Sequence, residues 1–465
     1  MEGGEISRRR VCAVFAALTV AMAATTSFAQ TASTVPAKKT ARPQVPTPAE
    51  RQVQAQRNLL FQRMLEKPDD LDAAFDYATL SIKVGDLEAA IATLERMLIF
   101  APGLPRLQLE LGLLYFRLNA HETARAYFEA AVAGPDVPEE VREKVETYLN
   151  RIDEATKTTR TSGQMRAGIR YQTNANRGPD GEIIILNGLP FQLDALSQAS
   201  PDGNVYVSGT FHLSHDLPQQ GTSLEFDVVG YASKQFKRDE FDLAQAEATL
   251  GPAFDLGRFG YDDTALGVYG ILSNAFLHEN YYATFLGAGT RLVRQIDARS
   301  SASATLEYRH KWFNNSSTVP RATDRDGDEV RFETAYQRVL APTRTVNAAA
   351  GVTRSLARVG YLTYTELAVQ AGSAVAFMSP IEGEQQWILA TSLGFVYRDY
   401  DSPDPLVNAS ESERDYEYIA QASLNIPVRN NLSLLAEVDY RYVDSNYPTR
   451  EHNNFGTALS LVKVW

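Results

Sequence analysis

Two histidines three residues apart, His212 and His215 in "FHLSHD", have the residue types of a metal-binding pair. In an extended strand that spacing sends them to opposite faces, so they read as interface or lumen histidines and not as ligands of one ion. The stretch "TDRDGDE" alternates the carboxylates of Asp324, Asp326, Asp328 and Glu329 around Gly327, loosely like a calcium loop. Its polar surroundings read as a solvated outer loop. No Gly-x-Ser-x-Gly elbow and no glycine-rich phosphate loop occurs. The one cysteine, Cys12, falls inside an N-terminal stretch with the features of a removable leader, which excludes disulfides and thiolate zinc from the mature chain. The sequence therefore assigns no catalytic residue, cofactor or metal. The chemistry it does concentrate is ionic. Glu307 and Arg309, Arg331 and Glu333, and Glu437 and Arg441 alternate with apolar neighbours in "ATLEYRHKWF", "EVRFETAY" and "AEVDYRYV".

The order of elements shows what must position those charges. Arg8, Arg9 and Arg10 precede an apolar stretch from Val11 to Ala24, and "SFAQ" offers a small-x-small cleavage site after Ala29. Residues 1–29 are expected as a signal peptide, since the apolar run is too short to span a bilayer. Residues 30–49, rich in Pro, Ala, Thr and Lys, are expected as a flexible linker. Residues 50–158 are helical and repeat at 34 residues. At that offset Ala78 falls on Gly112, Ala90 on Ala124, Leu94 on Phe128, Met97 on Ala131 and Pro68 on Pro102. Small residues at such positions let paired helices approach closely, and the pattern resembles the tetratricopeptide repeat (TPR). Two repeats, a partial one before Pro68 and a polar closing helix near "PEEVREKVETYLNRIDEA" are expected; Pro135 stands one residue early, so the second repeat is looser. In the numbering of that repeat, Phe75, Thr79 and Lys83, then Leu109, Leu113 and Arg117, occupy the concave face. Phe75 and Leu109 replace the polar residues of a carboxylate clamp, leaving an apolar peptide groove or a packing surface.

From residue 163 to 465 the period changes to two, and about fourteen strands are expected. Each has one apolar and one strongly polar face, which a soluble sandwich would also show. The connections decide. Those after even-numbered strands are tight ("DLPQQG", "QIDARS", "VLAPTR", "IPVRNN"), whereas several after odd-numbered strands are long and polar ("NNSSTVPRATDRDGDE", "DYDSPDPLVNASESERD"). A bacterial outer-membrane barrel with both termini on the periplasmic side has this asymmetry. The charged faces must then line the interior, because Lys or Arg facing lipid at the midplane costs about 2–4 kcal/mol. The last strand, "NNFGTALSLVKVW", carries Phe455, Leu459, Leu461 and Trp465 on one face and small residues on the other, and is expected to close the barrel near Ile169 and Tyr171. The fold class is thus an α plus β multidomain chain, an N-terminal TPR solenoid followed by an antiparallel transmembrane β-barrel. Formal net charge of −12 and a pI near 5.2 argue against nucleic acid as a partner.

Signal peptide, short TPR domain and terminal barrel together resemble the surface lipoprotein assembly modifier family. The start of the barrel is similar as well: in "AGIRYQTNANRGP", Tyr171, Asn174 and Asn176 match a Tyr-x-x-Asn-x-Asn run that leads into a long loop. The resemblance implies a non-enzymatic outer-membrane translocator that moves partner proteins, often lipid-anchored, with periplasmic repeats engaging them. It also implies that the terminal aromatic strand is read by the barrel assembly machinery, with the lipid bilayer as the other partner. An exopolysaccharide secretion porin, or a plain porin or adhesin braced by its repeats, are the alternatives; the sugar porins usually carry longer repeat arrays.

Overall fold

The computed structural model describes residues 48–101, 104–134, 137–195, 197–381 and 385–465. The expected leader and nearly all of the expected linker, together with Pro102 and Pro135, lie outside the described residues. Among the described residues six helices come first: α1 (Pro48–Glu66), α2 (Leu71–Val84), α3 (Leu87–Phe100), α4 (Pro105–Arg117), α5 (His121–Val132) and α6 (Glu139–Thr156). The start of α1 falls inside the stretch expected as linker.

Local chemistry punctuates the repeats. Asp70 and Asp86 accept hydrogen bonds from the amides of Ala73 and Ala89, capping α2 and α3. Gly85 and Asn119, one repeat apart, take positive φ (83° and 59°) where α2 and α4 end. The residues matched by the 34-residue period are the ones that pack. Ala78, Ala90, Leu94, Met97, Ala124, Phe128 and Ala131 are all buried. At Gly112 a Cβ would stand 2.6 Å from the Phe128 ring, so the small residue is a steric requirement of the helix pair. Phe128 also stacks on Tyr148 of α6, with centroids 5.2 Å apart. The polar closing helix thereby covers the end of the core.

The second unit opens with β1 (Thr159–Gln172) and, within the first long loop, a two-stranded hairpin of β2 (Ile183–Leu186) and β3 (Leu189–Gln192). The strands after the hairpin are β4 (Asp202–Asp216), β5 (Thr222–Gln235), β6 (Leu243–Asp255), β7 (Thr264–Leu277), β8 (Asn280–Asp297) and β9 (Ser300–Phe313). They continue as β10 (Gly327–Ala341), β11 (Arg344–Ser355), β12 (Tyr364–Met378), β13 (Gln386–Tyr400), β14 (Arg414–Arg429), β15 (Leu432–Ser445) and β16 (His452–Val464). All but β2 and β3 form a closed antiparallel barrel of fourteen strands. Each strand pairs with its sequence neighbour in the barrel, and β1 pairs with β16, with Ile169 opposite Leu459 and Tyr171 opposite Thr457. The backbone of Trp465 exchanges two hydrogen bonds with Gly163, both 3.1 Å. The chain begins β1 at Thr159, ahead of the expected 163, because its first residues pair with β4 below the last residue of β16. Turns such as 298–299, 342–343 and 430–431 lie at one end together with both ends of the barrel chain, and the long connections 173–201, 314–326 and 401–413 lie at the other. The hairpin was not anticipated. Its turn is Asn187–Gly188, with φ of 48° and 79°. An Asn-Gly pair between apolar runs is the sequence signal for such a primed turn.

Candidate functional site

Alternation puts every second residue of the barrel on the inside, and the strand registers align these positions across the wall. Arg166 donates to Glu437 at 3.0 and 3.1 Å, and Arg170 lies 3.9 Å from Asp439. Arg309 bridges Glu247 (2.6 and 3.0 Å) and Glu307 (2.8 Å), while Tyr269 donates to Glu307 at 2.9 Å. Lys311 reaches Glu329 (2.8 Å) and Ser355 (2.7 Å), and Arg331 pairs with Glu333. Near the long-loop end Glu417 bridges Arg398 (3.2 Å) and Arg441, and Arg398 also donates to Glu366 at 2.6 Å. All six residues expected in the lumen therefore face inward. Glu307 and Arg309 meet, as do Arg331 and Glu333, whereas Glu437 and Arg441 find other partners. Arg166, Glu247, Glu366, Arg398 and Glu417 belong to the same lining. Their alternation was visible in the sequence, but the cross-strand register that joins them was not.

The outward face is apolar along its middle, as with Ile169, Val207, Leu306, Val369, Leu393 and Leu459. Charged residues on that face stand at strand ends, as in the pairs His310–Asp328 (2.7 Å) and Arg354–Asp401. Aromatics flank the band: Tyr171, Phe455, Tyr416 and Trp312 toward the long loops, and Trp465, Phe211, Phe377 and Trp387 toward the short turns. An apolar belt between aromatic girdles is the surface of a lipid-spanning barrel.

The Tyr171, Asn174 and Asn176 motif divides its labour. Tyr171 faces outward, half exposed. Asn174 is buried and clasps Gly178, donating to its carbonyl (2.8 Å) and accepting from its amide (2.9 Å). Asn176 donates to the carbonyl of Gln198 (2.7 Å) and accepts from the amide of Ser200 (2.9 Å). The two amides thus fasten both ends of the first long loop. Between them Arg177, at φ 50°, lies in charge range of inward-facing Arg441, Glu417 and Arg398. Burial and the neighbouring guanidiniums of Arg441, Arg398 and Arg450 hold its own guanidinium below the usual range, with Glu417 opposing them. The far end of the loop is held too. The Asn187 amide donates to the Val407 carbonyl (2.9 Å) and its side chain to that of Pro405 (2.9 Å), while Ile184, Leu186, Val407 and Tyr447 form a buried cluster. The hairpin therefore ties the β1 loop to the loop between β13 and β14.

The remaining candidates resolve individually. His212 points inward to Asp227 (2.8 Å) and His215 outward to Thr159 (2.8 Å), so they share no site. In "TDRDGDE", Asp326 accepts from the Phe313 amide (2.7 Å), Asp324 pairs with Arg321, and Asp328 and Glu329 turn to opposite faces. Glu333, six residues after Gly327, is already committed to Arg331. Among the described residues no cluster of metal-ligating side chains forms. In the helical region Phe75 lies under the Arg106 guanidinium (4.7 Å to the ring centroid), and the Thr79 hydroxyl donates to the Phe75 carbonyl. Lys83 and Arg117 are exposed. Leu109 and Leu113 pack against the cluster of Phe128, Val145 and Ile152, so α6 takes up part of their surface. On the terminal strand Phe455, Leu459, Leu461 and Trp465 all face outward, about half exposed.

The chain is a TPR-like helical region followed by a closed fourteen-stranded antiparallel barrel with an apolar outer belt. No protein-family model and no curated protein matches the sequence. Among solved structures, the barrel is similar to an anion-selective porin from Comamonas acidovorans (9% identity, 66% of this chain and 99% of that one, TM-score 0.35). It is also similar to an outer membrane channel from Pseudomonas putida F1 (13% identity, 65% and 96%, TM-score 0.35). The helical region is similar to the type III secretion chaperone SycD of Yersinia enterocolitica, solved with a peptide of the translocator YopD (12% identity, 23% and 86%, TM-score 0.22). Likeness of this degree concerns the fold and transfers no residue role.

Proposed function

We propose that this chain is an outer-membrane translocator that moves partner proteins, surface lipoproteins or related secreted proteins, through its barrel while its helical repeats engage them in the periplasm. The observation that carries the reading is the junction. The helical unit runs directly into β1 at the short-turn end, the end that faces the periplasm in such barrels, and the strands beyond it enclose an ion-lined lumen inside an apolar belt. A fourteen-stranded wall is wider than the eight-stranded kind that side chains fill. The resemblance to the surface lipoprotein assembly modifier family supports protein cargo. The outward face of β16 is the strand offered to the barrel assembly machinery. Deleting the gene should remove one specific protein from the cell surface or medium and leave exported polysaccharide unchanged. Loss of polysaccharide instead would establish the secretion-porin alternative, and unchanged surface proteins would end the translocator reading. Removing residues 50–158 should abolish export while a heat-modifiable barrel remains in the outer membrane.

A further inference from the structure

We infer that the closing seam of the barrel carries, on its outward face, a binding site for a phosphorylated glycolipid of the outer leaflet. At the long-loop end a cleft of about 470 Å³ crosses the outward faces of β16, β1 and β4. Ile169, Tyr171 and Leu459 form its apolar floor, and all three are about half exposed. Gly203 lies beside Tyr171, and a Cβ there would come within 2.9 Å of the Phe236 ring, so the glycine lets that ring fold down as the cleft's wall. Lys237 stands on the rim. Its backbone is pinned by the buried carboxylate of Asp202, which accepts from the amides of Lys237 (3.1 Å) and Arg238 (2.9 Å) and of Gly203 (2.8 Å). Neighbouring Lys234 is neutralised by Asp242 at 3.4 Å, whereas Lys237 has no carboxylate partner among the described residues. An exposed ammonium carried on a pinned backbone above an apolar, aromatic-walled cleft is complementary to a phosphate joined to acyl chains. The inference rests on the membrane reading above, since the long-loop end must face the outer leaflet.

The test uses the full chain in neutral detergent, with Phe236→Trp as reporter, its emission taken after subtraction of the wild-type signal. Three probes are titrated: a phosphorylated hexa-acyl disaccharide glycolipid, its dephosphorylated form, and phosphatidylglycerol. The phosphorylated glycolipid should half-saturate the signal at a concentration about fivefold lower than the dephosphorylated form, the contribution of one lysine near an anionic headgroup. Lys237→Ala in the reporter background should abolish that ratio. Equal half-saturation with and without phosphate, or a ratio that survives Lys237→Ala, overturns the site. Phosphatidylglycerol binding as tightly as the glycolipid overturns the ligand class. Heat-modifiable mobility of each variant separates these results from loss of the barrel, which would strike at the membrane reading itself.

Discussion

Replacing Tyr447 with Phe should unlatch the mouth of the barrel without disturbing its wall. Tyr447 is 1% exposed, and its ring packs with Ile184, Leu186 and Val407. Its hydroxyl accepts from the Asp404 amide at 2.9 Å and donates to the Glu411 carbonyl at 2.7 Å. Phe keeps the ring and removes both bonds. Each partner left unmade when buried costs about 1–3 kcal/mol. Both backbone groups lie close enough to the surface for water to recover part of that, so the net loss is about 2 kcal/mol, about thirtyfold in the opening equilibrium. Hydrogen exchange in the fast-reclosing regime reads this directly. The Asn187 amide, which donates to Val407, and the Leu193 amide, which donates to Glu182, should exchange about thirtyfold faster in the variant, with β15 amides unchanged as the internal reference. An acceleration below about threefold at Asn187, with β15 still protected, would refute the assignment of Tyr447 as the latch.

Three further outcomes are expected. Phe128→Ala removes a fully buried ring that fills the space beside Gly112 and should cost the helical unit about 3–5 kcal/mol, read as an earlier loss of helical circular dichroism on heating while the barrel stays heat-modifiable. Burial pushes the Glu413 carboxyl from 4.5 up to about 7, with Arg450 opposing and Asp415 reinforcing the shift. A carboxyl whose folded value is raised contributes stability that is complete below its unfolded value and lost as pH rises through the folded one. Protection of the Tyr400 amide, which donates to the Glu413 carbonyl at 3.0 Å, should therefore fall between about pH 5 and about pH 8, and Glu413→Gln should flatten the profile. Finally, the inward-facing carboxylates of the described strands outnumber the inward-facing guanidinium and ammonium groups, so reversal potentials in planar bilayers should show cation preference, and Glu437→Lys should move them toward anions.

Periodicity alone determined a great deal of this protein. The 34-residue match of Ala78 with Gly112 and Leu94 with Phe128 is a packing requirement written locally, because each repeat buries the same face against its neighbour. Strand alternation likewise sent Glu307, Arg309, Arg331, Glu333, Glu437 and Arg441 to one side, since a side chain has only two faces to choose from. The pairing of β16 with β1 was legible for a related reason: both strands alternate an apolar outward face with a small or polar inward one, so in register their apolar faces fall on the same side of the wall. What alternation cannot supply is a coordinate around the barrel. Which carboxylate meets which guanidinium depends on register and on the curvature of the wall: Glu417 bridging Arg398 and Arg441 follows from the registers of β13, β14 and β15, whereas Arg309 reaching Glu247 on a nonadjacent strand needs the wall to curve. The same holds at the mouth. Asn174 and Asn176 looked like a motif, but their role as fasteners exists only once Gly178, Gln198 and Ser200 are folded back to them. The latch at Tyr447 joins segments more than two hundred residues apart, a contact no local pattern contains, because the long loops are held by partners that only the closed barrel brings within reach.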